Sequence, residues 1–211
     1  MSAATPAFAQ RPVRRCGKTP FFIATEHHFT PAILGFCLVS AILIAPAAAQ
    51  GSATAATVPG AEAARCSGEV LLRVWGFEVY TARLCAAPGF RAAEYARAPF
   101  SLELRYRRGF KAEDIARRSI EEMRRSGPID PAQAERWRDW LARNLPDVQP
   151  GDRLTGVHEP GRGVRFYYNG RPWAEPNPDP AFAERFFGIW LAPQTSEPAL
   201  REALLAPLGA S

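Results

Sequence analysis

From residue 100 the chain alternates: Phe100, Leu102, Leu104 and Tyr106 fall between Ser101, Glu103, Arg105 and Arg107, the period-two signature of a half-buried strand. Gly109 ends that strand, and over 111–125 the period changes to that of a helix, with Ile115, Ala116, Ser119, Ile120 and Met123 on one face and Glu113, Arg117, Glu121 and Arg124 on the other. Gly127-Pro128 stops it. Asp130 then caps a second helix, with Pro131 at its first position and Ala134, Trp137, Leu141 and Leu145 as its apolar stripe; Trp140 lies off that stripe, as if aimed at a neighbouring element. Strands follow at 154–158, 164–168 and 171–174, joined by Pro160-Gly161-Arg162-Gly163 and by Asn169-Gly170. Asp179-Pro180 opens a helix that is apolar around much of its girth, carrying Phe182, Phe186, Phe187, Ile189, Trp190 and Leu191, and a last helix holds Leu200, Leu204 and Leu205. A helix so apolar must be deeply buried. This order predicts an α+β domain, an antiparallel sheet with helices packed over one face.

The first 64 residues follow a different logic. Arg11, Arg14, Arg15 and Lys18 precede an apolar run over 32–45, Pro46 breaks it, and Ala47-Ala48-Ala49 supplies small residues for cleavage. Residues 1–49 therefore read as a signal peptide, because the run falls short of the ~20 residues that span a bilayer. The alternative is a membrane anchor. Residues 50–64 read as a flexible tail of the mature chain and 65–211 as one folded domain. Phe36 before Cys37 argues against lipidation. The leader takes four of the 26 basic and one of the 21 acidic residues, which leaves 22 against 20 and a net charge of only +2. That balance lacks the clustered basic surplus a nucleic-acid surface needs. The expectation is a periplasmic or secreted protein with no stable membrane anchor after cleavage.

Cys66 and Cys85 remain after the leader is removed. Between them lie two strand-like segments, 69–74 and 77–84, that reverse at Trp75-Gly76. A two-residue turn sets Val74 opposite Phe77 and, in the same register, Cys66 opposite Cys85, at the ~5 Å separation a disulfide bridges. An oxidising compartment favours that bond; two buried free thiols are the alternative. The register also sets Arg73 opposite Glu78 and Leu71 opposite Tyr80, so that Arg73 and Tyr80 share one face of the ribbon while Val70, Leu72, Val74, Phe77 and Val79 share the other. A guanidinium and a phenol converging under apolar helices would clamp a carboxylate or phenolate. The plainer reading is an Arg73–Glu78 salt bridge beside a core tyrosine.

Familiar catalytic motifs are missing. There is no Gly-x-Ser-x-Gly elbow, phosphate-cradling glycine loop or HExxH. Two cysteines and one mature histidine, His158, make a zinc site improbable. Asp147 and Asp152 flank Pro150-Gly151 and read as turn residues before they read as a carboxylate pair. The expectation is no cofactor and no metal.

Taken together, GEVLLRVWGFEVYTARL, LRYRRGFKAEDIARRSIEEM, PDVQPGDRLTG, the Tyr167-Tyr168-Asn169-Gly170 turn and FFGIWL resemble the bacterial exported branch of the chalcone isomerase-like family, over the whole chain from Cys66. The resemblance implies an open-faced β-sandwich of chalcone isomerase type with a ligand cleft between sheet and helices. Plant members of that family cyclise chalcones, and other relatives bind fatty acids without catalysis. It maps the plant arginine to Arg73, the threonine to Tyr80, the tyrosine and asparagine to Lys111 and Arg118, and a late-helix hydroxyl to Gly188. Loss of several reactive groups argues against the plant reaction, whereas Arg73 with Tyr80 resembles the fatty-acid carboxylate clamp. The expected ligand-binding set is therefore Arg73, Tyr80, Lys111 and Arg118, and the expected partner a small apolar carboxylate or phenolic ligand. An isomerase acting on an enone, or an envelope protein whose cleft is filled by its own side chains, are the alternatives.

Overall fold

The computed structural model describes residues 64–210, so the predicted leader and all but the last residue of the tail lie outside the described residues. Strands β1 (Arg65–Cys66), β2 (Val70–Val74), β3 (Phe77–Ala86), β4 (Phe100–Tyr106), β5 (Arg153–Glu159), β6 (Gly163–Tyr168) and β7 (Arg171–Asn177) form one antiparallel sheet. Its order is β1-β3-β4-β5-β6-β7, with β2 pairing β3 on the edge that β1 also uses. Helices α1 (Ala112–Met123), α2 (Pro131–Asn144), α3 (Pro180–Leu191) and α4 (Pro198–Leu205) supply the second layer. This is the α+β arrangement the hydrophobic pattern predicts, and the open-faced sandwich the resemblance implies.

The alternation in β4 does what it should. Phe100, Leu102, Leu104 and Tyr106 are buried toward the helices, where Phe187 of α3 sets its ring 4.7 Å from that of Phe100. Each such side chain withdrawn from water contributes about 1.5–3 kcal/mol. Gly156 in β5 lets α3 come close, since a Cβ there would meet the Phe187 ring at 3.1 Å. Asp179 Oδ1 accepts hydrogen bonds from the N–H groups of Ala181 and Phe182, capping α3. Its Oδ2 accepts from Trp137 Nε1 at 2.9 Å, which ties α2 to α3. Trp140 packs against Phe182 of α3 and Phe166 of β6.

Two hairpins turn through paired positive φ angles, the geometry of a type I′ turn. Asn169 and Gly170 have φ of 50° and 82°; Trp75 and Gly76 have the same two values. Asn tolerates that conformation, and a bulky residue does not. Strand β7 runs three residues beyond its predicted end, to Asn177. Ala174, at φ 58°, absorbs the register shift between Val164 and Phe166, and the edge position tolerates Pro172 and Pro176. A short 3-10 segment, Ala92–Arg97, breaks the β3–β4 connection and was not foreseen by periodicity.

Cys66 and Cys85 lie opposite each other and are disulfide-bonded. Between that bond and the turn, however, the ribbon is not regular. Arg73 opposes Glu78, but Leu72 opposes Tyr80 and Leu71 opposes Thr81, because a bulge leaves Val79 as an extra residue on β3. The predicted pairing of Leu71 with Tyr80 is therefore wrong by one position. Register is regained by Cys66, so both ends of the ribbon keep the expected pairing and only the middle slips.

His158 sits in β5 with its ring against Phe100 and Phe187, and its Nδ1 lies 2.8 Å from the Ala98 carbonyl, to which the neutral ring donates. Burial lowers its pKa, an effect the Ala98 hydrogen bond partly offsets. Because the folded form binds the proton less well than the unfolded chain, its contribution to stability is intact above the unfolded value of about 6.5 and is lost as pH falls below it. Urea midpoints should drop between pH 7.5 and 5.5, and His158→Gln should flatten that slope. Equal slopes in the two proteins would show that this ring is not responsible.

Candidate functional site

A half-enclosed cavity of about 320 Å³ opens between the β2–β3 ribbon and helices α1, α3 and α4. That volume lies at the lower end of the ~300–1,000 Å³ typical of small-molecule sites. Its walls are mainly apolar: Leu72, Leu104 and Leu154 from the sheet face Phe186, Ile189 and Leu200 from the helices. Phe186 and Trp190 line it without plugging it, and Trp137 is not at its wall. The cleft is not filled by its own side chains.

The polar groups gather on two sides: Asp114, Arg117, Arg118, Ser119 and Glu122 from α1 with Ser196 and Glu197 ahead of α4, and Tyr80 and Tyr106 from the sheet. Tyr80 and Tyr106 are cross-strand partners, with ring centroids 6.1 Å apart, and both border the cavity. Trp190 Nε1 donates to the Tyr80 hydroxyl at 3.0 Å, fixing that oxygen as an acceptor and leaving its proton to point elsewhere. Burial raises both phenols above their ordinary value; carboxylates of Glu197 and Glu122 add to the effect at Tyr80, and Tyr80 itself adds to it at Tyr106. Both are neutral donors at physiological pH. Arg118 of α1 borders the same cavity. Its Nη1 lies 3.3 Å from Glu121 and its Nη2 2.6 Å from Glu122. Glu122 is only 6% exposed and is also met by Arg125 at 2.9 Å.

Of the four residues expected to meet a ligand, Tyr80 and Arg118 line the cavity, and Arg73 and Lys111 do not. Leu72 and Val74 point into the cavity, so Arg73 between them projects to the opposite face, where it is exposed and pairs with Glu78 at 2.9 Å. The bulge at Val79 is the cause. It lets Val79 and Tyr80 both border the cavity and breaks the parity that would have set Tyr80 beside Arg73. The expected Arg73–Tyr80 clamp does not exist. Lys111 is held outside by Asp147, whose Oδ2 is 2.6 Å from its Nζ while Oδ1 accepts from the Ala112 N–H. That carboxylate caps the start of α1, and the salt bridge with Lys111 and the Ala112 hydrogen bond lower its pKa.

Asp152 has a separate task. It accepts from Tyr168, Asn169 and the Gln149 N–H, bracing the β6–β7 turn, so the two aspartates are not an acid–base pair. Gly188 faces away from the cavity, against the Tyr95 hydroxyl, so no side chain there would reach a ligand. The sequence reading missed Tyr106, Ser119 and Glu122. A signal was present: Ile115, Arg118, Ser119 and Glu122 share one α1 face at i, i+3, i+4 and i+7, and that face overlooks the hollow. Among the described residues no cluster of three or more His, Cys, Asp or Glu side chains is arranged to hold a metal ion.

A family model described as chalcone isomerase-like matches residues 70–206. A Haemophilus influenzae protein described as uncharacterized is 27% identical over 132 residues, a match covering 62% of this chain and 63% of that protein, so the chain spans less than two thirds of that relative. Among solved structures, an Arabidopsis thaliana fatty-acid binding protein aligns with a TM-score of 0.47 at 10% identity, covering 66% of this chain and 83% of that one.

Proposed function

Since the chain belongs to the chalcone isomerase-like family, we propose that it uses the family's cleft to bind a small apolar acid, such as a fatty acid, without turning it over, and that it does so outside the cytoplasm. The supporting observation is the cavity: apolar along most of its walls, with Arg117 and Arg118 as its cations, two neutral phenols as donors, and Asp114, Glu122 and Glu197 as its carboxylates. A carboxylate head would sit against Arg118 and the Tyr80 hydroxyl, and the tail would lie along Leu104, Phe186 and Leu200. Among the described residues no histidine, cysteine or lysine borders the cavity; of its carboxylates, Asp114 is paired with Arg117, and the deeply buried Glu122 with Arg118 and Arg125. This favours holding a ligand over transforming it.

Native mass spectrometry of protein taken from its own compartment should show a bound acid, and a long-chain acid should raise the thermal midpoint. A charge-assisted hydrogen bond contributes about 1.5–3 kcal/mol, so Arg118→Ala should weaken binding roughly 10- to 100-fold. Glu122 keeps Arg125 in that variant, so the fold should survive. The absence of both a co-purifying acid and any thermal shift would defeat the reading. Mass analysis of the processed chain should begin at Gln50, as the leader predicts; a retained leader would remove the export part alone.

A further inference from the structure

The β2–β3 hairpin ends in side chains that a folded domain has reason to hide. Trp75 is 94% exposed and Phe77 59% exposed, with Val74 also open to solvent. Singly exposed apolar residues are ordinary, but a tryptophan, a phenylalanine and a valine within four positions at a protruding tip form a patch. The turn conformation sharpens the point. Trp75 holds φ 50° beside Gly76 at 82°, and the hairpin at Asn169-Gly170 adopts the same two angles with the residue that suits them. The chain therefore contains the comfortable solution to this turn and uses a strained, apolar one at the other site. Neither packing nor turn chemistry accounts for tryptophan there, and such strain concentrates at functional positions.

The surroundings identify the partner. Arg108 lies with its Cζ 4.8 Å from the centre of the Phe77 ring. Arg107 is exposed, and its backbone N–H donates to the Val79 carbonyl at the base of the tip. With Arg73, which pairs with Glu78 at 2.9 Å, this puts three arginines on or just behind the apolar tip, Arg108 lying directly over Phe77. Aromatic side chains at the tip and arginines just behind it match the depth profile of a bilayer surface, where Trp rings sit at the headgroup boundary and basic groups meet anionic lipid. A protein partner is less well suited, because a stable interface needs about 800 Å² on each side, more than a hairpin tip offers. The tip also adjoins the cavity, since Val74 and Val79 belong to its lining. We propose that the Trp75–Phe77 tip docks reversibly on an anionic membrane surface, setting the cavity mouth against lipid. No helix among the described residues is long and apolar enough to cross a membrane, so the contact is peripheral.

The test is co-sedimentation of the full chain with phosphatidylcholine vesicles containing or lacking phosphatidylglycerol. Hydrogen exchange read at 74–78 separates this contact from any made by the apolar run at 32–45. Anionic vesicles should slow exchange at 74–78. Trp75→Asn with Phe77→Ser should abolish that protection while keeping the thermal midpoint, because Asn-Gly suits the turn. Arg107→Gln with Arg108→Gln should lower binding by roughly fivefold per arginine, and added salt should do the same. Unchanged exchange at 74–78 with vesicles, or equal vesicle protection in the Trp75/Phe77 variant, would overturn the proposal. Protection that rises with protein concentration without lipid would assign the tip to a second copy and overturn it too. Arg118→Ala should leave vesicle protection intact, so the outcome is independent of the acid-binding reading.

Discussion

Gly163→Ala should cost about 3 kcal/mol, among the largest losses a single added methyl group can cause in this domain. Gly163 opens β6 at φ 81°, where an L-residue is strained by about 1–2 kcal/mol. The methyl would also land on the Asn177 carbonyl oxygen, with the Pro178 carbonyl carbon only 3.0 Å away. These are backbone atoms at the end of β7 and cannot swing aside like a side chain. Relief requires shifting the chain just before Asp179, the residue that caps α3. Gly161 is the control: it has φ 76° but nothing within 4 Å of an added Cβ, so Gly161→Ala should show the conformational strain alone. Urea unfolding at constant m-value measures both. Equal losses in the two variants would mean that the crowding against β7 is not what demands glycine at 163.

Cys66→Ser with Cys85→Ser should lower stability by a similar amount, about 3 kcal/mol. The bond closes a segment of sequence separation 19, and the loop-entropy relation gives that figure for about 20 residues. For a domain of this size the thermal midpoint should fall by roughly 6–12 °C. Reductant on the unaltered protein should reproduce most of the drop. Replacing both cysteines leaves neither free to pair with Cys16 or Cys37. A midpoint that ignores both treatments would show the ribbon to be held by its pairing and packing alone.

Most of the fold was legible because local chemistry and long-range packing agree along most of the chain. The period of β4, the Asp130-Pro131 and Asp179-Pro180 helix starts and the aromatic face of α3 each state their own environment. The cysteine pairing was legible for a different reason: the turn and the disulfide share one register. That agreement at both ends concealed the slip between them. A bulge adds one residue on β3 and a compensating irregularity around 67–69 offsets it, so end-to-end counting detects nothing, while Tyr80 moves to the face that Leu72 and Val74 occupy and Arg73 stays on the other. Arg73 and Tyr80 straddle that slip. The candidate site was thus half legible: Tyr80 and Arg118 were chosen and do border the cavity, but the geometry assigned to Arg73 failed. Glu122 was missed although the 115, 118, 119 and 122 face of α1 marks its position, because its pairs with Arg118 and Arg125 read as an ordinary solvated helix face and its burial comes from the elements across the cavity.

The disulfide has a mechanical consequence as well. It clamps the β2–β3 ribbon at its root, through β1, while among the described residues no strand pairs the outer side of β2. β3 stays paired with β4 as far as Tyr80, and the Arg107 N–H holds the Val79 carbonyl, so only the stretch from Val74 to Val79 projects beyond the sheet, with deflection growing toward its tip. Val74 and Val79 lie at the base of that projection and, with Leu72 and Tyr80 on the anchored part of the ribbon, form one wall of the cavity. Bending of the projecting stretch therefore changes the width of the hollow near Val74 more than near Leu72.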